Sequence, residues 1–135
     1  MTTNMQYKEE DSGILKTAKS IITEEVEKYG YKVESVYLLG SRARGDFNED
    51  SDWDFFVVPD KEMEEQLKWD MYVKIRRRLA ITNKTSNDIF IASTKKWKEK
   101  NHDVGYLDYY VLNEGTFLWA KHWLKDYFIL RRKIL

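Results

Sequence analysis

Two aspartates separated by one residue, Asp52 and Asp54, are the side chains of this sequence best suited to hold a metal ion. In an extended strand, side chains two positions apart point to the same face, so both carboxylates can reach one ion while Trp53 and Phe55 point away. Two negative charges this close repel each other unless a cation compensates them, and hard oxygen ligands suit Mg²⁺. The spacing therefore predicts a magnesium site at the start of a strand.

The stretch that precedes this pair, residues 40–51, combines small loop residues with basic ones. Gly40 lets a phosphate chain approach backbone N–H groups closely, and Ser41 adds a hydroxyl where a short helix can begin. Arg42 and Arg44 supply positive charge nearby. These residues predict that a phosphate group binds beside the metal.

A third carboxylate, Asp88, belongs to a later apolar segment, residues 87–93. The alternation of Asp88, Phe90 and Ala92 can direct this carboxylate toward the same site if the two strands are neighbours. Three carboxylates beside a phosphate-binding loop suit two-metal phosphoryl chemistry. The alternative is that Asp88 only caps a turn at the start of its strand.

Two familiar motifs are excluded by single positions. Gly40 and Gly45 have the spacing of a P-loop, but Asp46 and Phe47 follow where Lys and Ser or Thr are required. The alternating aspartates imitate the start of an EF-hand, but Phe55 stands where that loop needs Gly. Neither motif explains the acidic pair.

The spacing of apolar residues predicts the elements that position these side chains. In chain order the predicted elements are a helix over 11–29, strands over 31–39 and 51–58, a helix over 61–80, a strand over 87–93, a helix over 104–113 and an edge strand over 116–120. The strands are apolar on both faces, which predicts an α/β (α+β) fold, a short mixed β-sheet flanked by helices. Three consecutive arginines, at positions 76–78, are predicted to face solvent.

The chain is predicted to form a single domain over residues 11–120. Residues 1–10 are predicted to be a loose N-terminus, and residues 121–135 a C-terminal extension that packs on the domain or at an interface. The extension and the strand before it are rich in aromatic residues, of the kind that protein interfaces favour. Trp119, Trp123, Tyr127 and Phe128 are therefore predicted to lie at an interface with a partner protein or a second copy of the chain, or to fold back onto the core.

Composition narrows the class of protein. The chain is 42% hydrophobic and 34% charged, which is typical of a globular protein and of neither a disordered chain nor a membrane span. Its 23 Lys and Arg balance its 23 Asp and Glu, so no overall positive charge favours generic nucleic-acid binding. With no cysteine and no signal-peptide pattern, a cytoplasmic location is expected.

The order of these motifs resembles the DNA polymerase β-like nucleotidyltransferase superfamily, and above all its minimal nucleotidyltransferases. Their pattern is Gly-Ser, a small and basic loop, and Ser-Asp-x-Asp before an apolar strand. The matching positions are Gly40, Ser41, Gly45, Ser51, Asp52 and Asp54. The resemblance implies that Asp52, Asp54 and Asp88 are the catalytic and metal-binding carboxylates, with a two-metal site expected. It also implies that the nucleotide is bound by Gly40, Ser41, Arg42, Arg44, Gly45 and Ser51.

The resemblance further implies a reaction: transfer of a nucleoside monophosphate, expected to be AMP from ATP, to a hydroxyl acceptor. Minimal relatives of this size resemble antitoxins that modify a HEPN-type toxin, so such a toxin is the expected protein partner. Two alternatives stay open. One is a transferase acting on a small molecule of the aminoglycoside type, and the other is a non-catalytic nucleotide-binding interaction module.

Overall fold

The computed structural model describes residues 9–99 and 115–120. Their elements, in chain order, are α1 (Glu9–Lys28), β1 (Val33–Leu39), α2 (Gly40–Arg44), β2 (Trp53–Pro59), α3 (Glu65–Asn83), β3 (Asn87–Ile91), α4 (Thr94–Glu99) and β4 (Thr116–Ala120). Every element predicted within these residues is present, with its ends moved by a few positions. Helix α4 was not predicted. The predicted helix over 104–113, the C-terminal extension and residues 1–8 lie outside the described residues.

The described strands form one mixed sheet in the order β3-β2-β1-β4. Strand β1 runs antiparallel to both β2 and β4, whereas β2 and β3 are parallel and are connected through α3. Parallel neighbours need such a crossover, because a tight turn can only join antiparallel strands. The predicted fold class, a short mixed sheet flanked by helices, is confirmed, and β4 lies at the sheet edge as predicted.

The main hydrophobic core lies between this sheet and the two long helices. Ala18, Ile22 and Val26 of α1 and Met71, Ile75 and Leu79 of α3 pack against one sheet face, which presents Val36, Leu38, Trp53, Phe55, Val57 and Ile89. The opposite face presents a smaller cluster of Tyr37, Leu39, Phe56, Val58 and Ala92, with Trp97 of α4 packed against it. Strands β1 and β2 are therefore buried on both faces, which explains their uninterrupted apolar sequence.

An ion pair joins α1 to α3 beside this core. The Glu25 carboxylate is buried, with 1% of its side chain exposed, and it accepts a hydrogen bond of 2.6 Å from Nη1 of Arg78. The Nη2 of Arg78 also donates to Glu24 at 3.0 Å. A buried carboxylate without such a partner is strongly destabilising. The expectation that residues 76–78 all face solvent is therefore wrong for Arg78, whose charge compensates Glu25.

Within the part of the chain that the structure describes, no helix has both the length and the apolar character needed to cross a bilayer.

Candidate active site

Asp54 and Asp88 lie directly opposite each other on neighbouring strands. They are register partners in the parallel pair formed by β2 and β3. Their neighbours Trp53, Phe55 and Ile89 enter the main core, so the two aspartates point to the other face of the sheet. The structure thus brings Asp88 beside the acidic pair, although 34 positions separate it from Asp54 in the chain.

Asp52 lies two positions before Asp54, just ahead of the first residue of β2. Asp52 is exposed and Asp54 is half-buried. Burial raises the pKa of Asp54 above its ordinary value, and the negative charges of Asp52 and Asp88 raise it further. All three carboxylates therefore share one electrostatic environment, in which a cation would relieve their repulsion.

Gly40 brings backbone against this group of carboxylates. A Cβ atom at position 40 would lie only 2.8 Å from Oδ2 of Asp54, and the φ angle of Gly40 is +72°. Both observations favour glycine, since a side chain would force the Asp54 carboxylate to move and the left-handed conformation would be strained. The chain turns here from β1 into α2, so Gly40 and Ser41 begin the segment that borders Asp54.

The oxygen ligands and the crowding of negative charge at Asp54 fit a magnesium ion. Among residues 9–99 and 115–120, however, no three His, Cys, Asp or Glu side chains are arranged so that they could hold a metal ion by themselves. Mg²⁺ commonly uses one or two protein carboxylates and takes its remaining ligands from water and substrate phosphates. The carboxylates are thus suited to a metal that also binds the phosphates of a nucleotide. Asp52 and Asp54, two positions apart, are the pair that would hold it.

Arg42 has a different environment from the one predicted for a phosphate ligand. Its side chain is buried, and its guanidinium lies between the rings of Phe47 and Trp53, 4.5 and 4.4 Å from their centroids. The same group donates hydrogen bonds to the backbone oxygens of Ser51 and Glu49 at 3.3 and 3.4 Å. This geometry supports a role for Arg42 in holding the 46–51 loop in place, immediately before Asp52, and the predicted phosphate contact stays a prediction.

Three other predicted nucleotide ligands also contribute to the shape of this loop. Gly45 ends α2 in the left-handed conformation, and its N–H donates to the backbone oxygen of Ser41 at 2.9 Å. The Ser51 hydroxyl accepts from the Asn48 N–H at 3.0 Å. Arg44 is exposed, with its Nε 3.5 Å from an Asp46 oxygen. Arg44, the last residue of α2, is thus the basic side chain next to this loop that stands at the surface.

Asp88 is held by Tyr72, which the sequence did not single out, and by Arg76, which was expected to face solvent. Oδ1 of Asp88 accepts from the Tyr72 hydroxyl at 3.2 Å and from the Ile89 N–H at 3.0 Å. Arg76 donates from Nη1 to the Tyr72 oxygen at 2.9 Å, and its Nε lies 3.8 Å from Oδ1. Tyr72 and Arg76 are four positions apart on α3, the spacing that places two side chains on one helix face. That spacing was the available signal, but it does not show what the face contacts.

The family of the chain follows from its match to a model of known proteins. Residues 20–121 match the family described as Polymerase beta, Nucleotidyltransferase. The chain belongs to this family. The matched range includes β1 to β4 and every predicted site residue. Among curated proteins, no sequence matches this nucleotidyltransferase-family chain significantly.

Solved structures with a similar fold include a proposed nucleotidyltransferase from Sulfolobus solfataricus. It is 24% identical with a TM-score of 0.55, and the superposition covers 90% of this chain and 91% of that chain. A mutant of the toxin–antitoxin complex MntA–HpeT is 16% identical with a TM-score of 0.53, over 89% of this chain and 83% of that chain. A toxin–antitoxin complex with AMP-PNP is 20% identical with a TM-score of 0.50, over 86% and 83%. At these identities the similarity establishes the fold.

Proposed function

We propose that this chain is a Mg²⁺-dependent nucleotidyltransferase that moves a nucleoside monophosphate, expected to be AMP from ATP, to a hydroxyl on a partner protein. The observation that supports it most is the pairing of Asp54 with Asp88 in register, with Gly40 in contact with Asp54 on its other side. That arrangement combines three carboxylates with a loop whose backbone a phosphate chain can approach. Membership of the nucleotidyltransferase family supports the same reaction class.

Each residue of the site would have its own role in the proposed reaction. Asp52 and Asp54 would hold Mg²⁺, with Asp88 available for a second ion, and the bound metal would neutralise charge on the phosphates. Gly40 and Ser41 would contact the triphosphate, with Arg44 nearby. The acceptor oxygen bonds to the α-phosphorus, the bond from that phosphorus to the bridging oxygen breaks, and pyrophosphate leaves. Where Asp88 does not hold that second ion, it would take the proton of the acceptor hydroxyl.

A protein acceptor is favoured by the kind of molecule that shares this fold. The structural neighbours include a toxin–antitoxin complex and a second one with AMP-PNP, so the fold occurs with a protein partner and with a nucleotide analogue. Balanced charge, 23 basic against 23 acidic residues, disfavours a nucleic-acid acceptor, which needs a basic surface. A HEPN-type toxin is the specific partner that we propose, on the family resemblance.

The deciding experiment measures the intact mass of a HEPN-type protein encoded beside this chain, co-expressed with it. We expect a gain of whole nucleoside monophosphates that disappears with Asp52→Asn combined with Asp54→Asn. Calorimetry should show that the double variant also loses Mg²⁺-dependent ATP binding. Asp50→Asn is the control, because this substitution removes a negative charge from the same loop at an exposed position.

Other outcomes would replace the proposal with one of its alternatives. Transfer to an aminoglycoside with the protein partner unmodified would identify a small-molecule transferase. Binding of ATP and of the partner with no transfer to either acceptor would identify an interaction module. Unchanged ATP affinity in the double variant would remove the metal assignment.

A further inference from the structure

Among the described residues, one oxygen of the Asp88 carboxylate accepts hydrogen bonds and the other accepts none. Within the described part of the chain, each hydrogen bond that Asp88 accepts goes to Oδ1, from the Tyr72 hydroxyl and from the Ile89 N–H. The side chain is 39% exposed, so packing alone does not fix it. The terminal torsion of an aspartate is soft, and its two oxygens can exchange places unless one of them is held. The contacts on Oδ1 therefore decide which oxygen faces the other carboxylates.

Tyr72 is itself held from several directions. Arg76 donates to its hydroxyl oxygen from Nη1 at 2.9 Å and places its guanidinium 5.4 Å from the ring centroid. Arg76 is in turn anchored by a bond of 3.2 Å from its Nε to the Asn87 backbone oxygen. On the other side the Tyr72 ring stacks on Trp69, with centroids 5.4 Å apart and an interplanar angle of 23°.

The direction of these hydrogen bonds is set by their chemistry. An arginine can only donate, so the Tyr72 oxygen accepts from Arg76 and its proton is free to be donated. A carboxylate accepts that proton in a charge-assisted bond, which is stronger than a bond between neutral groups. The chain of contacts thus runs from Arg76 through Tyr72 to Oδ1 of Asp88, and each partner has its required role.

We propose that Tyr72, oriented by Arg76, is a positioning residue that fixes Oδ1 of Asp88 and presents Oδ2 to the reacting groups. The proposal rests on the function proposed above and adds two residues of α3 to its site. Neither residue touches the substrate in this role. Their contribution is to keep Asp88 in one orientation on an edge strand, where its exposure would otherwise allow several.

Tyr72→Phe is the cleanest test, because it removes the hydroxyl and keeps the ring that stacks on Trp69. We expect kcat for transfer to fall about tenfold while the KM for ATP stays within about twofold, since Asp88 is expected to affect turnover more than binding. In an Asp88→Asn background the same change should have no further effect. Tyr31→Phe is the matched control, because Tyr31 is also a half-buried tyrosine but lies far from the site. It precedes the first residue of β1, whereas Gly40 follows the last.

A second measurement does not depend on turnover. Calorimetric titration of Mn²⁺ into the protein with AMP-PNP should show weaker metal binding in Tyr72→Phe by about threefold, with an unchanged melting temperature. If wild-type protein transfers nothing while this shift is present, the proposed reaction fails but the positioning role stands. Equal losses in the Tyr72→Phe and Tyr31→Phe variants would overturn the proposal. So would a nucleoside monophosphate found on Tyr72 itself, because the hydroxyl would then be an acceptor.

Discussion

The two sides of the candidate site are built in different ways. On the β2 side, the loop that leads to the acidic pair is held by residues close in the chain, with Arg42 buried between Phe47 and Trp53. On the β3 side, Asp88 is held by side chains of α3, and its own surroundings are partly open to solvent. One side is a short loop shaped by its neighbours in the chain, and the other depends on the docking of a helix.

This difference has consequences for stability and for motion. A loop closed by local contacts loses little chain entropy on folding and keeps its shape with the strand that follows it. The Asp88 side depends on exposed groups, and Trp69 on the same helix is 61% exposed. Solvent-exposed hydrogen bonds are a feature of regions that open more easily. The β2 side thus depends largely on contacts close in the chain, and the β3 side on hydrogen bonds between side chains that are partly exposed.

Gly40→Ala should break the β2 side most severely. The new methyl would lie 2.8 Å from Oδ2 of Asp54 on a backbone with a φ of +72°, so the aspartate would have to move. We expect kcat/KM to fall about 100-fold, since a displacement of about 1 Å can have that effect. Gly45→Ala is the matched control: its φ is +90° but a Cβ would meet nothing within 4 Å. It should lower stability by about 1–2 kcal/mol and should lower kcat/KM far less than Gly40→Ala does, as measured by denaturant unfolding and initial rates.

Asp88→Asn should have the next largest effect and should change turnover more than binding. The substitution keeps the shape of the side chain but removes the charge that accepts the proton. We expect kcat to fall about 30-fold, which corresponds to about 2 kcal/mol in the barrier, with little change in ATP affinity. Single-turnover rates and calorimetry separate the two quantities. Near-normal transfer would return Asp88 to the role of a residue at the start of a strand.

How far the sequence predicted each side follows the same division. Local sequence predicted the β2 side, because its parts are neighbours in the chain. Alternation with a period of two indicated the strands and the acidic pair, and a single glycine indicated the tight turn at Gly40. Arg42 was expected to bind phosphate because charge can be read from the sequence and burial cannot. Only the folded structure places the Phe47 and Trp53 rings on either side of it.

The contacts of Asp88 could not be predicted from the spacing of residues in the sequence, for a related reason. The apolar positions of α3 predicted its buried face correctly, with Met71, Ile75 and Leu79 in the core. Tyr72 and Arg76 follow two of these residues directly and flank that face. Whether a flanking side chain meets solvent or a neighbouring strand is decided by how the helix docks. No spacing rule along one helix contains that information.

Arg42→Met should sharpen the comparison, because it removes the charge and the hydrogen bonds but keeps a side chain of similar length. We expect a loss of about 2 kcal/mol in the free energy of unfolding, from two cation–π contacts and the bonds to Ser51 and Glu49. Arg44→Met, at an exposed position of the same helix, should change stability by less than about 0.5 kcal/mol. The reverse ranking, or a raised KM for ATP in Arg42→Lys without a change in stability, would restore Arg42 as a phosphate ligand.

The smallest expected effect concerns Glu62, which secures the chain beyond the far end of β3. Its Oε2 accepts from the Thr94 hydroxyl at 2.8 Å and from the Lys95 N–H at 3.2 Å, at the start of α4. Burial alone would raise the pKa of Glu62, but these two bonds and the charge of Lys68 lower it to about 2. The carboxylate is therefore stabilised in its charged form in the folded protein.

The sign of the resulting pH dependence follows from this lowered pKa. A group with a pKa of about 2 when folded and an ordinary value of 4.5 contributes stability above pH 4.5, and loses it as the pH falls toward 2. Because 47% of the side chain is exposed, solvent screening should keep the contribution below about 1 kcal/mol. Unfolding of wild-type and Glu62→Gln protein should therefore differ at pH 7 and converge near pH 2. Glu64→Gln is the control, since Glu64 makes no side-chain cap bond to α3. A difference that persists unchanged to pH 2 would mean that Glu62 acts through its shape and that its charge has no part in holding the β3 side.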